Sequence, residues 1–255
     1  LRAGQNLTAN TPLVTAARGA NQNLVAAGAL VLNKVAGTPA FAPGLGAILR
    51  LGGSSVSATS DILLPSGLIE VLATGVGGDI RIGGILDTRG SAVTFYDTER
   101  FTDAGEIRLE SRSGDVNLLA GSELSVAADA RGGNAGTVIV SAPTGQFTVL
   151  GCFDGHAGAG GTGGSFELDA GSIVSFSDLR DLLDAGGFDE RRAFRLRTGS
   201  VAVEGLHKTR VFKLATDTGS ISVAGTIDAS GVTGGRIDLV AREDLEIQAG
   251  ARLDA

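Results

Sequence analysis

The residues best placed to bind a ligand form a basic cluster on one pair of predicted strands. Arg195, Arg197 and Lys213 are expected to face outwards, about 5 to 7 Å apart. Guanidinium and ammonium groups at this spacing suit the sulfates or carboxylates of an acidic glycan. The alternative is that neighbouring carboxylates, Glu167 and Asp238, pair with these cations across the strands and leave no free binding surface.

Three aspartates, Asp87, Asp228 and Asp254, occupy the same position in a second repeated phrase, which we assign to the third strand of each repeat. Clustered carboxylates are the catalytic groups of many polysaccharide-cleaving enzymes, so the pattern has to be weighed as chemistry. We favour the interpretation that these aspartates mark solvent-exposed corners and bind the amides of the following turns. A shared cation is the second interpretation, and catalysis is the third.

The remaining residue types that could carry chemistry lack suitable neighbours. Cys152 and His156 are four residues apart and could share a metal on a helix, but their segment is typical of a strand end and a loop. His207 has no partner nearby in sequence, and no glycine-rich segment leads from a strand into a helix. We therefore predict no catalytic residues, no metal site and no cofactor.

The elements that must position these residues are short strands that recur along the chain. Apolar residues two apart with a polar residue between them mark a strand with one face in the core. Together with an almost complete lack of helical pattern, the recurrence predicts an all-β fold, a right-handed parallel β-helix. The first strand of each repeat carries the phrase Gly-x-Ile-x-Leu or a close variant of it, as in residues 105–109 and 136–140. We expect the first apolar residues of these phrases to form one inward column, namely Ile80, Ile107, Val138, Phe166, Phe194, Phe212 and Ile237.

Some segments depart from this rhythm. Residues 177–185 have leucines at helical spacing and are followed by two glycines, which predicts one short surface helix lying over a face of the rod. Residues 91–104 and 155–164 are expected to be surface loops. Residues 1–45 alternate weakly and are predicted to form less regular coils, whereas residues 46–255 form the regular repeats of the same single domain.

Composition limits the function further. The net charge of −7 argues against nucleic acid as a partner, and the longest apolar run, residues 24–32, is too short to span a membrane. A single cysteine excludes an internal disulfide framework. The chain contains no Met and ends in a phrase cut short, so we expect it to be a segment of a longer protein.

Four phrases resemble the filamentous haemagglutinin-like exoproteins, namely residues 46–56, 185–188, 225–231 and 249–255. The resemblance extends over about residues 44–255. It implies a very large protein of a Gram-negative bacterium, exported through an outer-membrane transporter by two-partner secretion. It also implies a parallel β-helical fibre at the cell surface, with a role in adhesion, biofilm formation or delivery of a toxin.

The family's Asn-rich secretion domain is not evident in this sequence, and neither is a toxin. We therefore expect a non-enzymatic shaft segment of a secreted, surface-located fibre, structural and adhesive, with a host or matrix glycan as a possible partner. Two alternatives stay open: a β-helix enzyme that degrades polysaccharide, and the scaffold of a contact-dependent toxin-delivery protein. The aromatic content of 4% argues against the enzyme, which would need aromatic platforms in a groove.

Overall fold

The structure, a computed structural model, describes residues 1–38, 43–231 and 233–255. Part of the stretch predicted to be less regular, residues 39–42, therefore lies outside the described residues. The first strands are β1 (Arg2–Ala3), β2 (Leu7–Asn10), β3 (Leu13–Val14), β4 (Asn21–Ala26), β5 (Leu30–Asn33), β6 (Ile48–Gly53), β7 (Val56–Ala58), β8 (Asp61–Leu63), β9 (Leu68–Ala73), β10 (Ile80–Ile82) and β11 (Ile85–Asp87).

The middle of the chain continues the same pattern. Its elements are β12 (Ala92–Phe95), β13 (Thr98–Phe101), β14 (Glu106–Ser111), β15 (Val116–Leu118), β16 (Glu123–Ser125), β17 (Thr137–Val149), β18 (Cys152–Asp154), β19 (Ser165–Ile173) and the helix α1 (Phe176–Ala185). The last strands are β20 (Arg191–Leu196), β21 (Val201–Val203), β22 (Leu206–Lys208), β23 (Val211–Thr216), β24 (Ile221–Val223), β25 (Thr226–Asp228), β26 (Arg236–Val240), β27 (Leu245–Ile247) and β28 (Arg252–Asp254).

The fold is all-β and its strands are mostly parallel. Within the described residues, every strand pairing except β12–β13 is parallel. The first sheet runs β1-β4-β6-β9-β14-β17-β19-β20-β23-β26, the second runs β2-β5-β7-β10-β15-β17, and the third runs β3-β8-β11-β16-β18. After α1, the second and third positions are taken by β21-β24-β27 and β22-β25-β28.

Each passage of the chain from one first-sheet strand to the next is called a rung. Leu49 pairs with Ile69, which pairs with Ile107, and the column continues through Val138 to Phe166. These side chains are buried, at 2% exposure or less. Because each buried side chain of this size contributes about 1.5–3 kcal/mol, the stacked column supplies much of the stability of every rung.

The predicted inward column is wrong in two places. Ile80 belongs to the second sheet, where it pairs with Val56. The residue that pairs with both Phe166 and Phe212 is Arg192, not Phe194. The repeated phrase begins two residues later in β20 than in its neighbours, so aligning the phrases gives the wrong register for this strand.

Residues 1–45 contribute strands β1 to β5 to the same three sheets. Strand β4 pairs with both β1 and β6, and β5 pairs with both β2 and β7. The N-terminal stretch is therefore continuous with the regular rungs. Strand β3 pairs directly with β8, so the third sheet skips the rung that contains β4 and β5.

The glycine that opens the repeated phrase is explained by close packing between rungs. A Cβ atom at Gly105 would lie 1.8 Å from the carbonyl oxygen of Gly67, and one at Gly136 would lie 1.9 Å from that of Gly105. None of these three glycines has a positive φ. In this column glycine is therefore required because the missing side chain lets successive corners touch, and not because of a positive φ.

Gly105→Ala is expected to destabilise the protein by about 2 kcal/mol or more, because strand β14 must shift away from the rung before it. Equilibrium urea unfolding would measure the change. Gly4→Ala is the matched control: a Cβ there meets nothing within 4 Å, so we expect a change within about 0.5 kcal/mol. Equal effects of the two substitutions would contradict this account of the glycine column.

The predicted helix is present as α1, at Phe176–Ala185, but it does not lie over a face of the strands as predicted. Ser175 caps the N-terminus by accepting a hydrogen bond from the amide of Asp178 at 3.1 Å, and Gly187 follows the C-terminus with φ of 71°. The helix contacts β18 and β22, the third-sheet strands before and after it, and also β21 of the second position. With Leu179 and Leu183 buried, α1 occupies the position of a third-sheet strand instead of lying over a face.

The loop predicted at residues 91–104 is the antiparallel hairpin β12–β13. Its tip is exposed and holds Tyr96 at φ of 56°. Arg131 anchors the hairpin by bonding both carboxylate oxygens of Glu99, at 2.8 and 2.9 Å, and by lying over the ring of Phe101. The loop predicted at 155–164 has no regular secondary structure, as expected.

Candidate functional site

The outer face of the first sheet forms a groove across strands β17, β19, β20, β23 and β26. Its volume is about 840 Å³. Alternation along each strand places every second side chain in this groove and the others in the core. Space is left in the middle of the groove because two small residues, Ala193 and Ala215, face outwards there. The charged side chains that line it are Glu167, Asp169, Arg195, Lys213, Arg236 and Asp238.

Two of the three predicted ligand-binding residues, Arg195 and Lys213, line this groove. Both point away from the core, as alternation predicted. The expected contact between them is wrong: Lys213 lies beside Ala193, and Arg195 lies beside Ala215. The two cations are therefore diagonal neighbours: they lie on adjacent strands, β20 and β23, and are offset by two residues along them. Arg197 follows the end of β20 and does not line the groove.

Each predicted cation has a carboxylate partner. Arg195 bonds both oxygens of Asp217, at 2.9 and 3.0 Å. Arg197 bonds both oxygens of Asp169, at 2.7 and 2.8 Å, and shares Asp217 at 3.0 Å. The hydrogen bonds from Arg195 hold the pKa of the Asp217 carboxyl below its usual range, with a smaller contribution from Arg197. Bidentate pairs of this kind fix the orientation of both guanidinium groups.

Lys213 has its ammonium nitrogen 3.2 Å from Asp238, which also pairs with Arg236 at 2.8 Å. Hydrogen bonding from Arg236, and then from Lys213, lowers the pKa of the Asp238 carboxyl. The other predicted flanking acid, Glu167, pairs with Arg191 at 2.7 Å. Cross-strand charge pairing, the alternative weighed from the sequence, is thus present throughout the groove.

Sequence reasoning missed the two most important partners, Asp169 and Asp217. Asp169 was detectable, because it lies at an outward place of strand β19, two residues after Glu167. Asp217 lies one residue beyond the end of β23, so only the stacking of rungs shows that it meets Arg195 and Arg197. The groove therefore alternates in sign and does not present a purely basic patch.

A second group that the sequence did not identify lies inside the rod. Arg192 is 1% exposed, with Nη1 2.6 Å from Asp184 and Nε donating to the carbonyl oxygen of Phe188 at 2.6 Å. His207 is equally buried. His207 has no partner close to it in the sequence. In the structure its ring lies between those of Phe176 and Phe212, at centroid distances of 5.5 and 5.2 Å.

The predicted aspartate corners do not form one site. Asp228 and Asp254 pair in neighbouring strands, whereas Asp87 pairs with Ser125 in a different part of the third sheet. Asp228 accepts from the amide of Ser230 at 3.0 Å, as predicted for a turn. Asp87 also accepts from a turn amide, but it is buried, and burial raises its carboxyl pKa.

Cys152 and His156 have different partners. His156 Nδ1 lies 2.9 Å from Asp154, and the Cys152 sulfur lies 3.8 Å from the carbonyl oxygen of Ser122. Partial burial raises the pKa of the Cys152 thiol, which disfavours the thiolate. Among the described residues, no group of three or more His, Cys, Asp or Glu side chains is arranged to hold a metal ion.

No family model, curated protein or solved structure matches this chain. Within the part of the chain that the structure describes, no helix is long and apolar enough to cross a membrane.

Proposed function

We propose that this chain is a right-handed parallel β-helix serving as a shaft segment of a secreted bacterial surface fibre, structural and adhesive. The observation that carries the proposal is the continuous parallel pairing of the first sheet from β1 to β26 over a buried apolar column. Each rung contacts the rungs beside it, so a stack of this kind extends in one direction and presents a long outer surface.

The resemblance to filamentous haemagglutinin-like exoproteins supplies the biological setting of this proposal. What the resemblance implies, and what we propose, is export by two-partner secretion, with an outer-membrane transporter as the partner and the cell surface as the location. The shaft presents the groove and the hairpin β12–β13 to the surroundings, and these are the two places where specificity would reside.

We propose no enzymatic role, because the candidate carboxylates are already engaged in local structure. Asp87 holds the guanidinium and amide of Arg89, and Asp254 pairs with Arg252 at 2.5 Å. Asp228 is held by hydrogen bonds from Ser230, which lower its carboxyl pKa. A general acid needs a raised pKa together with access to substrate: the pKa of Asp228 is lowered, and Asp87, whose pKa is raised, is buried.

For adhesion, we propose that the groove takes an acidic glycan, with Arg195 and Lys213 meeting successive anionic groups and Arg197 supporting them. Both groove cations remain partly exposed, at 50% for Arg195 and 34% for Lys213. An exposed ion pair contributes only about 0–1 kcal/mol, so a sulfate can displace or share the carboxylate partner at little cost.

Heparin affinity chromatography at low salt tests this adhesive role. We expect the unaltered chain to be retained and the double variant Arg195→Ala, Lys213→Ala to elute at lower salt. The matched control, Arg81→Ala with Arg112→Ala, removes two exposed arginines that do not line the groove. Asp217→Asn should instead increase retention, because it removes a negative charge and weakens the bidentate pair that holds Arg195.

Failure of the unaltered chain to bind the column would mean that the cluster is cross-strand pairing only. Equal losses in the groove variant and in the control would show that retention reports net charge and not the groove. Either result removes the glycan proposal and leaves the shaft proposal to be judged on its own measurement.

A further inference from the structure

Helix α1 replaces a strand in its rung, which leaves the third sheet interrupted between β18 and β22. A strand in that position would bond both neighbours along their backbones, whereas the helix is held by side chains. Leu179 and Leu183 pack inwards, and Arg180 donates to the carbonyl oxygen of Glu204 at 2.6 Å. The attachment of α1 to the rod therefore depends on the side chains that it packs against, more than the attachment of a strand does.

The group beneath the start of the helix is His207 of β22. Its ring stacks on Phe176, the first helical residue, with an angle of 27° between the planes. Phe212 of β23 meets the ring edge to face from another side. Within the described residues, neither ring nitrogen makes a well-formed hydrogen bond, although the backbone of Glu204 lies close enough to favour the protonated ring weakly. A buried imidazole without partners is tolerated only while it is neutral.

The charged groups around His207 come from two elements, β20 and α1. Arg192 of β20 and Arg180 of α1 both oppose a positive charge on the ring, and Asp181 of α1 favours it weakly. Asp184 of α1 is committed to Arg192 at 2.6 Å. No carboxylate among the described residues contacts the imidazole itself, so a proton on His207 would be an uncompensated charge between two aromatic rings.

We propose that helix α1 is an acid-sensitive latch, which opens when His207 becomes protonated and so uncovers the apolar surface under Phe176, Leu179 and Leu183. The ring cannot carry charge while the helix is closed over it, and an opened helix exposes the ring to water. Acid therefore favours the open form. This regulation is independent of the glycan-binding role proposed for the groove.

The direction and size of the effect follow from proton linkage. Burial, helped by the positive charge of Arg192, lowers the pKa of His207 to about 4, against about 6.5 for an exposed histidine. Above pH 6.5 both forms are neutral and the latch keeps its full stability. Between pH 8 and pH 5 the open form gains protons and the closed form does not, so the opening equilibrium rises about 30-fold.

Hydrogen exchange followed by mass spectrometry tests the latch on the whole chain. We expect protection factors, which are corrected for the intrinsic pH dependence of exchange, to fall about 30-fold for α1 between pH 8 and pH 5. Protection of the first-sheet strands β6 and β9 should stay constant. His207→Phe keeps an aromatic ring between Phe176 and Phe212 and should abolish the fall, whereas the control His156→Gln should retain it.

A ring-proton NMR titration of the unaltered chain gives a second readout that needs no variant. We expect His207 to protonate only over the pH range in which α1 loses protection. The proposal is overturned if α1 keeps its protection at pH 5, if β6 and β9 lose theirs to the same extent, or if the His207 ring titrates near pH 6.5 while α1 stays closed. It is also overturned if His207→Phe, once folded, shows the same fall.

Discussion

Phe194→Asp is expected to destabilise the protein by more than about 4 kcal/mol, among the largest effects of any single change. Phe194 is 4% exposed, and its ring lies 5.0 Å from Phe176, 6.1 Å from Phe166 and 6.0 Å from Phe212. Losing a buried phenylalanine costs about 3–5 kcal/mol, and an unpaired carboxylate in the same place adds to that loss. The contacts join the rung before Phe194, the rung after it and helix α1.

Urea unfolding followed by circular dichroism measures this effect, and hydrogen exchange shows where it begins. Because a stack of rungs is stabilised by its neighbour interfaces, exchange should increase first around β19, β20 and β23. Phe95→Asp is the matched control, since Phe95 is 55% exposed at the hairpin tip and should change stability by less than about 0.5 kcal/mol. Unchanged unfolding of Phe194→Asp would show that Phe194 faces solvent.

Asp184→Ala is expected to destabilise the protein by about 2–3 kcal/mol, because it leaves the buried guanidinium of Arg192 without its counter-charge. Burial already lowers the pKa of Arg192, which shows how poorly this site tolerates charge. Arg192→Met removes the charge together with its need for a partner, and we expect it to change stability by less than about 1 kcal/mol. The prediction is that Asp184→Ala lowers the free energy of unfolding more than Arg192→Met does.

The same urea titration applies to both variants, with Asp181→Ala as the control on the same helix. Asp181 is 65% exposed and pairs with Arg180, so its loss should cost about 0–1 kcal/mol. If Arg192→Met is the more damaging of the two substitutions at the ion pair, the guanidinium stabilises the rung through its bond to the Phe188 carbonyl oxygen and not through Asp184.

Much of the strand pattern could be predicted from the sequence, because inward side chains repeat two apart and the phrases recur. Register could not. Aligning Phe194 with Phe166 is natural from the phrase, but the structure places Arg192 there. A buried arginine reads as an exposed residue in a polar–apolar pattern. Burial of Arg192 depends on its ion pair with Asp184 of helix α1. The spacing of leucines predicted that helix, but nothing in the sequence showed that the helix replaces a strand.

The candidate site divides in the same way. Alternation alone placed Arg195 and Lys213 on the outer face. Their partners depend on how many residues each rung uses before returning to the first sheet, and rungs vary from 20 residues, Leu49 to Ile69, to 38 residues, Ile69 to Ile107. The pairing of Arg195 with Asp217 therefore follows from three-dimensional stacking and not from spacing.

Pulling the chain apart from its two ends by atomic force microscopy tests the shaft proposal most directly. A stack whose rungs pair mainly with the rungs beside them should lengthen in successive steps, each releasing one rung or a few. At about 3.4 Å per extended residue, single rungs correspond to steps of about 70 to 130 Å. A single release of the whole chain, about 870 Å at the same scale, would contradict the account. So would extension without measurable force.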